Sequence, residues 1–144
     1  MVNFNSQSLD SLIRNSAEVR RTIDFTMVQN GAMHPSDIDA VLEFDNQILI
    51  LIEVKKRGIK IPLGQRLLLE RICDSWRTHK SVVLKVEYFD VYDIVEDIPL
   101  EQCFVTRFYY NKKWHNFEKR ASLVWFVNQL GKKWGNEKCR FQCS

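Results

Sequence analysis

Residues 48–55 have the sequence ILILIEVK, and the predicted fold depends on this stretch. A nearly continuous aliphatic run of this length is typical of a β-strand that is buried on both faces. Residues 37–44 alternate apolar and polar side chains, which predicts a second strand. Asp45-Asn46-Gln47, between the two segments, favours a short turn. The sequence therefore predicts that the two strands form a β-hairpin.

Outside the hairpin, helical and strand-like patterns follow one another along the chain. Apolar residues recur at helical spacing in three segments, and two further segments are rich in the residues that strands favour. This order predicts a mixed α/β domain in which helices cover a central sheet. The predicted helices span residues 6–22, 64–77 and 117–134, and the further strands span residues 81–89 and 103–110.

Length and composition indicate the general class of protein. A chain of 144 residues with 45% hydrophobic residues fits one globular domain, which we assign to residues 1–135. Residues 136–144, which include Cys139, are expected to form a loosely ordered C-terminal tail. No apolar run is long enough to cross a bilayer, and the first ten residues lack the pattern of a secretory signal. We therefore expect a cytoplasmic protein with no membrane association.

Two carboxylates are expected to face each other across the hairpin. If the turn has three residues, Phe44 faces Ile48, and counting back from this pair places Asp39 opposite Glu53. Opposed residues in an antiparallel pair have Cβ atoms roughly 4.5–5.5 Å apart. Lys55 lies two residues beyond Glu53 and projects from the same face. A shorter turn would shift the register by one residue and move Asp39 away from Glu53.

Facing carboxylates repel each other, and a hard divalent cation would remove the repulsion. Mg²⁺ bound there could lower the pKa of a water molecule and neutralise charge on a phosphate, and Lys55 could position the water or stabilise the developing charge. These residue types suit phosphodiester hydrolysis. The alternative is an ordinary ion pair, in which Lys55 pairs with Glu53 or Asp39 where the strand emerges into solvent.

The same residues resemble the motifs of the PD-(D/E)XK nuclease superfamily, over residues 18–76. In that family an acidic residue follows a proline-containing segment, and the next strand ends in (D/E)-x-K. The chain has Pro35-Ser36-Asp37-Ile38-Asp39 followed by Glu53-Val54-Lys55. Many members carry a glutamine on the following helix, here Gln65, and some add a glutamate from the N-terminal helix. Glu18 matches that position, with Asp24 as a competitor.

The resemblance implies a restriction-endonuclease-like fold, with a central mixed sheet of four to five strands flanked by helices. It implies catalysis by Asp39, Glu53, Lys55 and Gln65. The metal, Mg²⁺ for which Mn²⁺ can substitute, would be held by Asp39, Glu53 and the carbonyl of Val54. Asp37 and Glu18 are further candidate ligands, and we prefer Asp39 to Asp37.

Small single-domain members of the superfamily include phage nucleases and enzymes similar to Holliday-junction resolvases. The resemblance therefore implies a DNA endonuclease that acts as a homodimer in the cytoplasm of a bacterial, archaeal or phage-infected cell, with structured or branched DNA among its substrates. The alternative within the same fold is a catalytically silent protein that binds nucleic acid or a protein partner.

Basic residues near the motifs are candidates for nucleic-acid contacts, although each cluster could also be an ordinary solvated face. For Gln65, a local hydrogen bond at the start of its helix is as good an interpretation as a position beside Glu53 and Lys55. The candidate nucleic-acid-binding residues are Lys56, Arg57, Lys60, Arg66, Lys112 and Lys113.

Overall fold

The computed structural model describes residues 24, 26–28, 30–32, 35–89 and 97–142. The predicted N-terminal helix and Glu18 lie outside these residues. The chain divides into two compact units, Met1–Ser36 and Asp37–Ser144, and the fold described below is that of the second. The assignment of residues 1–135 to a single domain stays a prediction. Neither described helix combines the length and apolar character that crossing a membrane requires.

Five strands and two α-helices make up the described part of the second unit, together with one short 3-10 helix. Strands β1 and β2 form the hairpin, α1 connects β2 to β3, and α2 follows the last strand. In chain order the elements are β1 (Ala40–Phe44), β2 (Ile48–Lys56), α1 (Leu63–Asp74), β3 (Ser81–Tyr88), the 3-10 helix (Leu100–Gln102), β4 (Phe104–Tyr110), β5 (Lys113–Ser122) and α2 (Leu123–Lys133).

The strands form one sheet in the order β1-β2-β3-β4-β5. Strands β2 and β3 are parallel, and every other neighbouring pair is antiparallel. Parallel neighbours need a crossover connection, which α1 supplies. The prediction of an α/β fold with a mixed sheet of four to five strands and flanking helices is confirmed.

The hairpin has the predicted register. Phe44 is the partner of Ile48, and Ala40 is the partner of Ile52. The turn is closed by a hydrogen bond of 2.9 Å from the Gln47 N–H to the Phe44 carbonyl. Asp45 and Asn46 adopt positive φ angles of 56° and 58°, which Asp and Asn tolerate better than most residues. A turn of three residues therefore sets the register that brings Asp39 level with Glu53.

Helices cover both faces of the sheet, so β2 is buried on both sides, as predicted. Even-numbered residues of β2, such as Ile50, pack in the cluster that contains Val127 of α2. Odd-numbered residues, such as Leu51, pack in the cluster that contains Leu69 of α1. Because side chains alternate along a strand, the sequence of β2 supplies an apolar surface to each helix.

The predicted helix over residues 117–134 is wrong at its N-terminal end. Residues 117–122 belong to β5, where Ala121 pairs with Val105 of β4. The helix begins at Leu123, after Ser122 accepts a hydrogen bond of 3.1 Å from the Trp125 N–H. The Glu, Lys, Arg and Ala of this segment favour a helix locally, but pairing with β4 overrides that preference. Trp125, in the first turn of this helix, is 46% exposed.

The expectation of a loosely ordered tail is also wrong for residues 136–142. Cys139 is only 1% exposed and belongs to the core cluster beside α2. Asn128 of α2 exchanges two hydrogen bonds with the backbone of Phe141, at 2.7 and 3.3 Å. At Gly131 the chain approaches so closely that an added Cβ would lie 2.0 Å from the Cys139 carbonyl oxygen. The segment therefore packs on α2 as part of the core.

This close approach predicts that Gly131→Ala lowers the free energy of unfolding by about 1–3 kcal/mol or more, because the new methyl group displaces the packed segment. Urea denaturation measures the change. Gly64→Ala in α1 is the matched control, since an added Cβ there meets nothing within 4 Å. The control should be neutral or stabilising by up to about 1 kcal/mol. Equal stability of the two variants would contradict close packing of residues 136–142 on α2.

Candidate active site

Asp39 lies immediately before β1 and interacts with the backbone of β2. Its Oδ2 accepts a hydrogen bond of 2.8 Å from the N–H of Val54. Leu49 and Arg57 donate their N–H groups towards β3, to the carbonyls of Lys80 and Tyr88. Backbone groups alternate sides along a strand, so the N–H and carbonyl of Val54 both face the β1 side. The Val54 carbonyl is therefore on the side of β2 where Asp39 lies.

Glu53 is a buried carboxylate with one oxygen paired. It is 1% exposed, and its Oε1 is 3.1 Å from Nζ of Lys55. The buried Oε2 has no hydrogen-bond partner in the part of the chain that the structure describes. Burial raises the pKa of Glu53 above its ordinary 4.5; the hydrogen bond from Lys55 opposes this shift, and the nearby Asp39 carboxylate adds to it. The facing carboxylates of the sequence prediction are thus close enough for Asp39 to contribute to the raised pKa of Glu53.

Strand β3 carries a complementary pair of charges. In the parallel register Lys85 is the partner of Glu53, and Glu87 is the partner of Lys55. Lys85 is 7% exposed, and its Nζ lies 3.5 Å from Glu87 Oε1. Glu87 also accepts a hydrogen bond of 3.0 Å from the Gly58 N–H. Glu53 and Lys55 of β2 therefore each have a residue of opposite charge as lateral neighbour on β3.

Strand β4 extends this arrangement with an arginine. Arg107 is the partner of Lys85, and its guanidinium carbon lies 5.1 Å from the ring centroid of Trp114. The indole N–H of Trp114 donates to Glu70 of α1 at 3.0 Å. Laterally paired side chains share one face of a sheet. On the face covered by α1 we therefore define a polar row, which consists of Asp39, Glu53, Lys85 and Arg107.

Gln65 is in the first turn of α1 and contacts the segment that carries the candidate metal ligands. Its Nε2 donates to the carbonyl of Asp37 at 3.2 Å. The contact joins residues 28 positions apart in the sequence, so the interpretation as a local hydrogen bond is wrong. Asp37 itself is exposed. The start of α1 thus lies beside Asp37, two residues before Asp39 in the sequence.

The predicted nucleic-acid-binding residues fall into two groups. Lys56, at the end of β2, and Arg57 and Lys60, which follow it, are exposed. Arg57 stacks on Phe89 with 5.3 Å between the guanidinium carbon and the ring centroid. Arg66 is on α1, where its Nε is 3.8 Å from Glu70 Oε2. The structure does not bring the remaining two close to the site. Lys112 and Lys113 lie at the turn between β4 and β5. This turn is at the end of the sheet where β2 begins, far from the carboxyl end of β2.

Sequence analysis missed three charged residues beside the site. Lys85 and Glu87 interrupt the apolar face of β3 at alternate positions, just as Glu53 and Lys55 interrupt β2. That shared pattern could have identified them. For Arg107 the sequence of β4 offers no comparable pattern, because its importance depends on its lateral neighbour in the sheet.

The metal-ligating capacity of the site is limited to few side chains. Within the described ranges, no three His, Cys, Asp or Glu side chains converge on a point where they could hold a metal ion. A cation at Asp39 and Glu53 would therefore need backbone, water or phosphate oxygens to complete its coordination, as is usual for Mg²⁺.

Comparison with known proteins adds no relative. No family model matches the chain, and neither a curated protein nor a solved structure matches it. The interpretation of the site therefore depends on its geometry and on the motif resemblance alone.

The raised pKa of Glu53 makes stability depend on pH. A carboxyl whose pKa is higher in the folded state binds its proton more tightly there, so folding stability decreases as pH rises through 4.5 towards the folded pKa. Above that window the ionised carboxylate is destabilising. Glu53→Gln should therefore melt at a higher temperature than the wild type at pH 7 in EDTA, with the difference vanishing near pH 4.

Glu137→Gln, at an exposed carboxylate, controls for the loss of one negative charge. Differential scanning calorimetry across pH 4–8 gives the comparison. A Glu53→Gln variant that is less stable than the wild type at pH 7 would show that the ion pair with Lys55 outweighs burial of the carboxylate.

Proposed function

We propose that the protein is a Mg²⁺-dependent nuclease that hydrolyses phosphodiester bonds of DNA, with the chemistry of the PD-(D/E)XK superfamily. The observation that carries the proposal is the buried carboxylate of Glu53, whose Oε2 has no partner and which lies beside the Asp39 carboxylate. An unpaired carboxylate oxygen in a buried site is costly to maintain unless a ligand completes it. A divalent cation is the ligand that two adjacent carboxylates favour.

The donor set fits a hard cation. Asp39, Glu53 and the carbonyl of Val54 would supply oxygen ligands, and Mn²⁺ could replace Mg²⁺. When bound, the cation would supply a Lewis acid that neutralises charge on a phosphate and lowers the pKa of a water ligand. Asp39 is oriented for this role by the Val54 N–H. Asp37 and Glu18 stay candidate ligands without structural support.

Lys55 would act on the reacting phosphate, and Gln65 would support the acidic segment. The Lys55 side chain is 22% exposed, so its ammonium group can reach a substrate while it is held 3.1 Å from Glu53. The ammonium group of Lys55 would stabilise negative charge that develops on the phosphate in the transition state. Gln65, anchored on the Asp37 carbonyl, would hold the acidic segment in place beside Glu53.

The substrate proposal is DNA, including structured or branched DNA. The exposed basic residues after β2 could contact the phosphate backbone, and the net charge of +3 is compatible with such a partner. One such site cuts one strand, so we propose a homodimer for cleavage of a duplex or junction.

A catalytically silent DNA-binding or protein-binding protein of the same fold is the second candidate. The lateral pairing of E-V-K with K-V-E supports it, because opposite charges on neighbouring strands compensate each other without a metal ion. Binding of Mg²⁺ and cleavage of DNA distinguish the two candidates.

Cleavage of supercoiled, linear and four-way-junction DNA with and without Mg²⁺ tests the proposal. Glu53→Gln and Lys55→Met should each lower the rate by at least about 100-fold, because the first removes a metal ligand and the second removes the positive charge that would stabilise the transition state. Lys132→Met, on α2 at the other face of the sheet, is the matched control for loss of a lysine and should cleave normally. If the wild type cleaves no substrate, yet binds DNA as well as the variants do, the silent alternative is correct.

Metal binding can be measured without catalysis. Mg²⁺ or Mn²⁺ should raise the melting temperature of the wild type and of Lys132→Met, since a ligand that binds only the folded state stabilises it by mass action. Asp39→Asn and Glu53→Gln should lose this increase. Equal increases in all four proteins would place the metal elsewhere and contradict the proposed ligand set.

A further inference from the structure

The four side chains of the polar row are arranged as two negative charges followed by two positive charges. Asp39, immediately before β1, and Glu53 on β2 carry the negative charges, and Lys85 on β3 and Arg107 on β4 carry the positive charges. Neighbouring strands lie about 4.8 Å apart, which places the Arg107 backbone roughly 10 Å from that of Glu53. Like charges directly opposite each other destabilise a sheet, so the basic pair presents the same physical problem as the acidic pair.

Arg107 has no counter-charge among the described residues. Its lateral neighbours are Lys85 on β3 and Asn116 on β5, and neither is a carboxylate. No described acidic side chain forms an ion pair with it, and its buried Nε has no hydrogen-bond partner. A partly buried guanidinium without an anion is unfavourable, and an arginine that served only to hold the sheet together would be paired.

The guanidinium of Arg107 is nevertheless held in place. It stacks on Trp114 at 5.1 Å, and Trp114 is fixed by its hydrogen bond to Glu70. Stacking on an indole sets the plane of a guanidinium and leaves its terminal N–H groups free to bind an oxyanion end-on. Trp114 is thus a positioning residue for Arg107.

Lys85 has unused donor capacity beside Arg107. An ammonium group has three donors, and the described contact of Lys85 Nζ is the long one of 3.5 Å to Glu87. The side chain is 9% exposed, so its charge lies in a site with little water, where attraction to an anion is strong. A shared anion would turn the repulsion between Lys85 and Arg107 into two favourable contacts.

We propose that Lys85 and Arg107 form a binding subsite for a phosphate group next to the acidic pair. Arginine and lysine together are suited to a tetrahedral oxyanion, and arginine binds two of its oxygens at once. Resting on the proposed function, the natural occupant is a backbone phosphate of the DNA strand whose bond is cleaved at Asp39 and Glu53. The polar row then binds the cation at its acidic half and the phosphate at its basic half.

Binding of a fluorescently labelled twelve-nucleotide DNA single strand in EDTA tests the subsite without catalysis. Arg107→Gln should weaken binding about tenfold or more, the effect of losing a hydrogen bond to a charged group. The slope of log affinity against log salt concentration should become shallower by about one, as expected when one phosphate contact is lost. Arg140→Gln, at an exposed arginine outside the sheet, is the matched control and should change neither quantity by as much.

The stability of Arg107→Gln distinguishes a phosphate-binding role of Arg107 from a structural one. Because Arg107 lacks a counter-charge, Arg107→Gln should be as stable as the wild type or more stable without phosphate. Inorganic phosphate should raise the melting temperature of the wild type and not of the variant. Lys85→Gln, which removes the other cation, should also lose the phosphate response if Arg107→Gln does not fold.

The outcomes separate the subsite from the nuclease function. Loss of phosphate and DNA binding in the variants supports the subsite, whether or not Mg²⁺-dependent cleavage is found. Unchanged binding and salt dependence, with wild-type cleavage intact, would overturn the subsite and leave the nuclease proposal standing. A marked loss of stability in both variants without phosphate would show that the two cations are structural and would also overturn it.

Discussion

The burial of β2 on both faces is the constraint on which the rest of the structure depends. Because α1 covers one face and α2 the other, any charge in the middle of this strand is removed from water. Glu53 follows five aliphatic residues in that strand and is 1% exposed. A carboxylate in this position must be compensated by its lateral neighbours or by a ligand. The hairpin and the parallel pairing with β3 determine which neighbours it has.

Those neighbours compensate Glu53 only in part. Lys55 pairs with one carboxylate oxygen, and Lys85 faces it from β3, but the second oxygen is left without a partner. Asp39 places another negative charge beside it, and Arg107 adds an unpaired positive charge two strands away. A sheet selected for stability alone would have alternated these charges. The grouping of like charges is the kind of local instability that binding sites retain.

The hairpin register was predictable because side chains alternate with a period of two and a three-residue turn leaves one way to pair the strands. The lateral neighbours on β3 and β4 were harder to predict, since parallel pairing places Lys85 beside Glu53, 32 positions away, and antiparallel pairing places Arg107 beside Lys85, 22 positions away. Lys85 interrupts the apolar pattern of β3 as Glu53 interrupts that of β2, but no local pattern in β4 indicates Arg107. The start of α2 was misjudged because residues 117–122 have helix-forming composition and yet pair with β4. Cys139 was assigned to a loose tail because its neighbours in the sequence are mostly polar. In the structure it packs among apolar side chains such as Val127 and Leu130.

The simplest alternative for Glu53 and Lys55 is an ordinary ion pair at the end of a strand, and the 3.1 Å contact between them is observed. That pair accounts for one oxygen of Glu53 and for the charge of Lys55. It leaves unexplained why Asp39 is held beside a second, buried carboxylate by the Val54 N–H. It also leaves Arg107 stacked on Trp114 without an anion. A cation and a phosphate bound along the polar row would account for both features, because each would supply the charge that the chain itself omits.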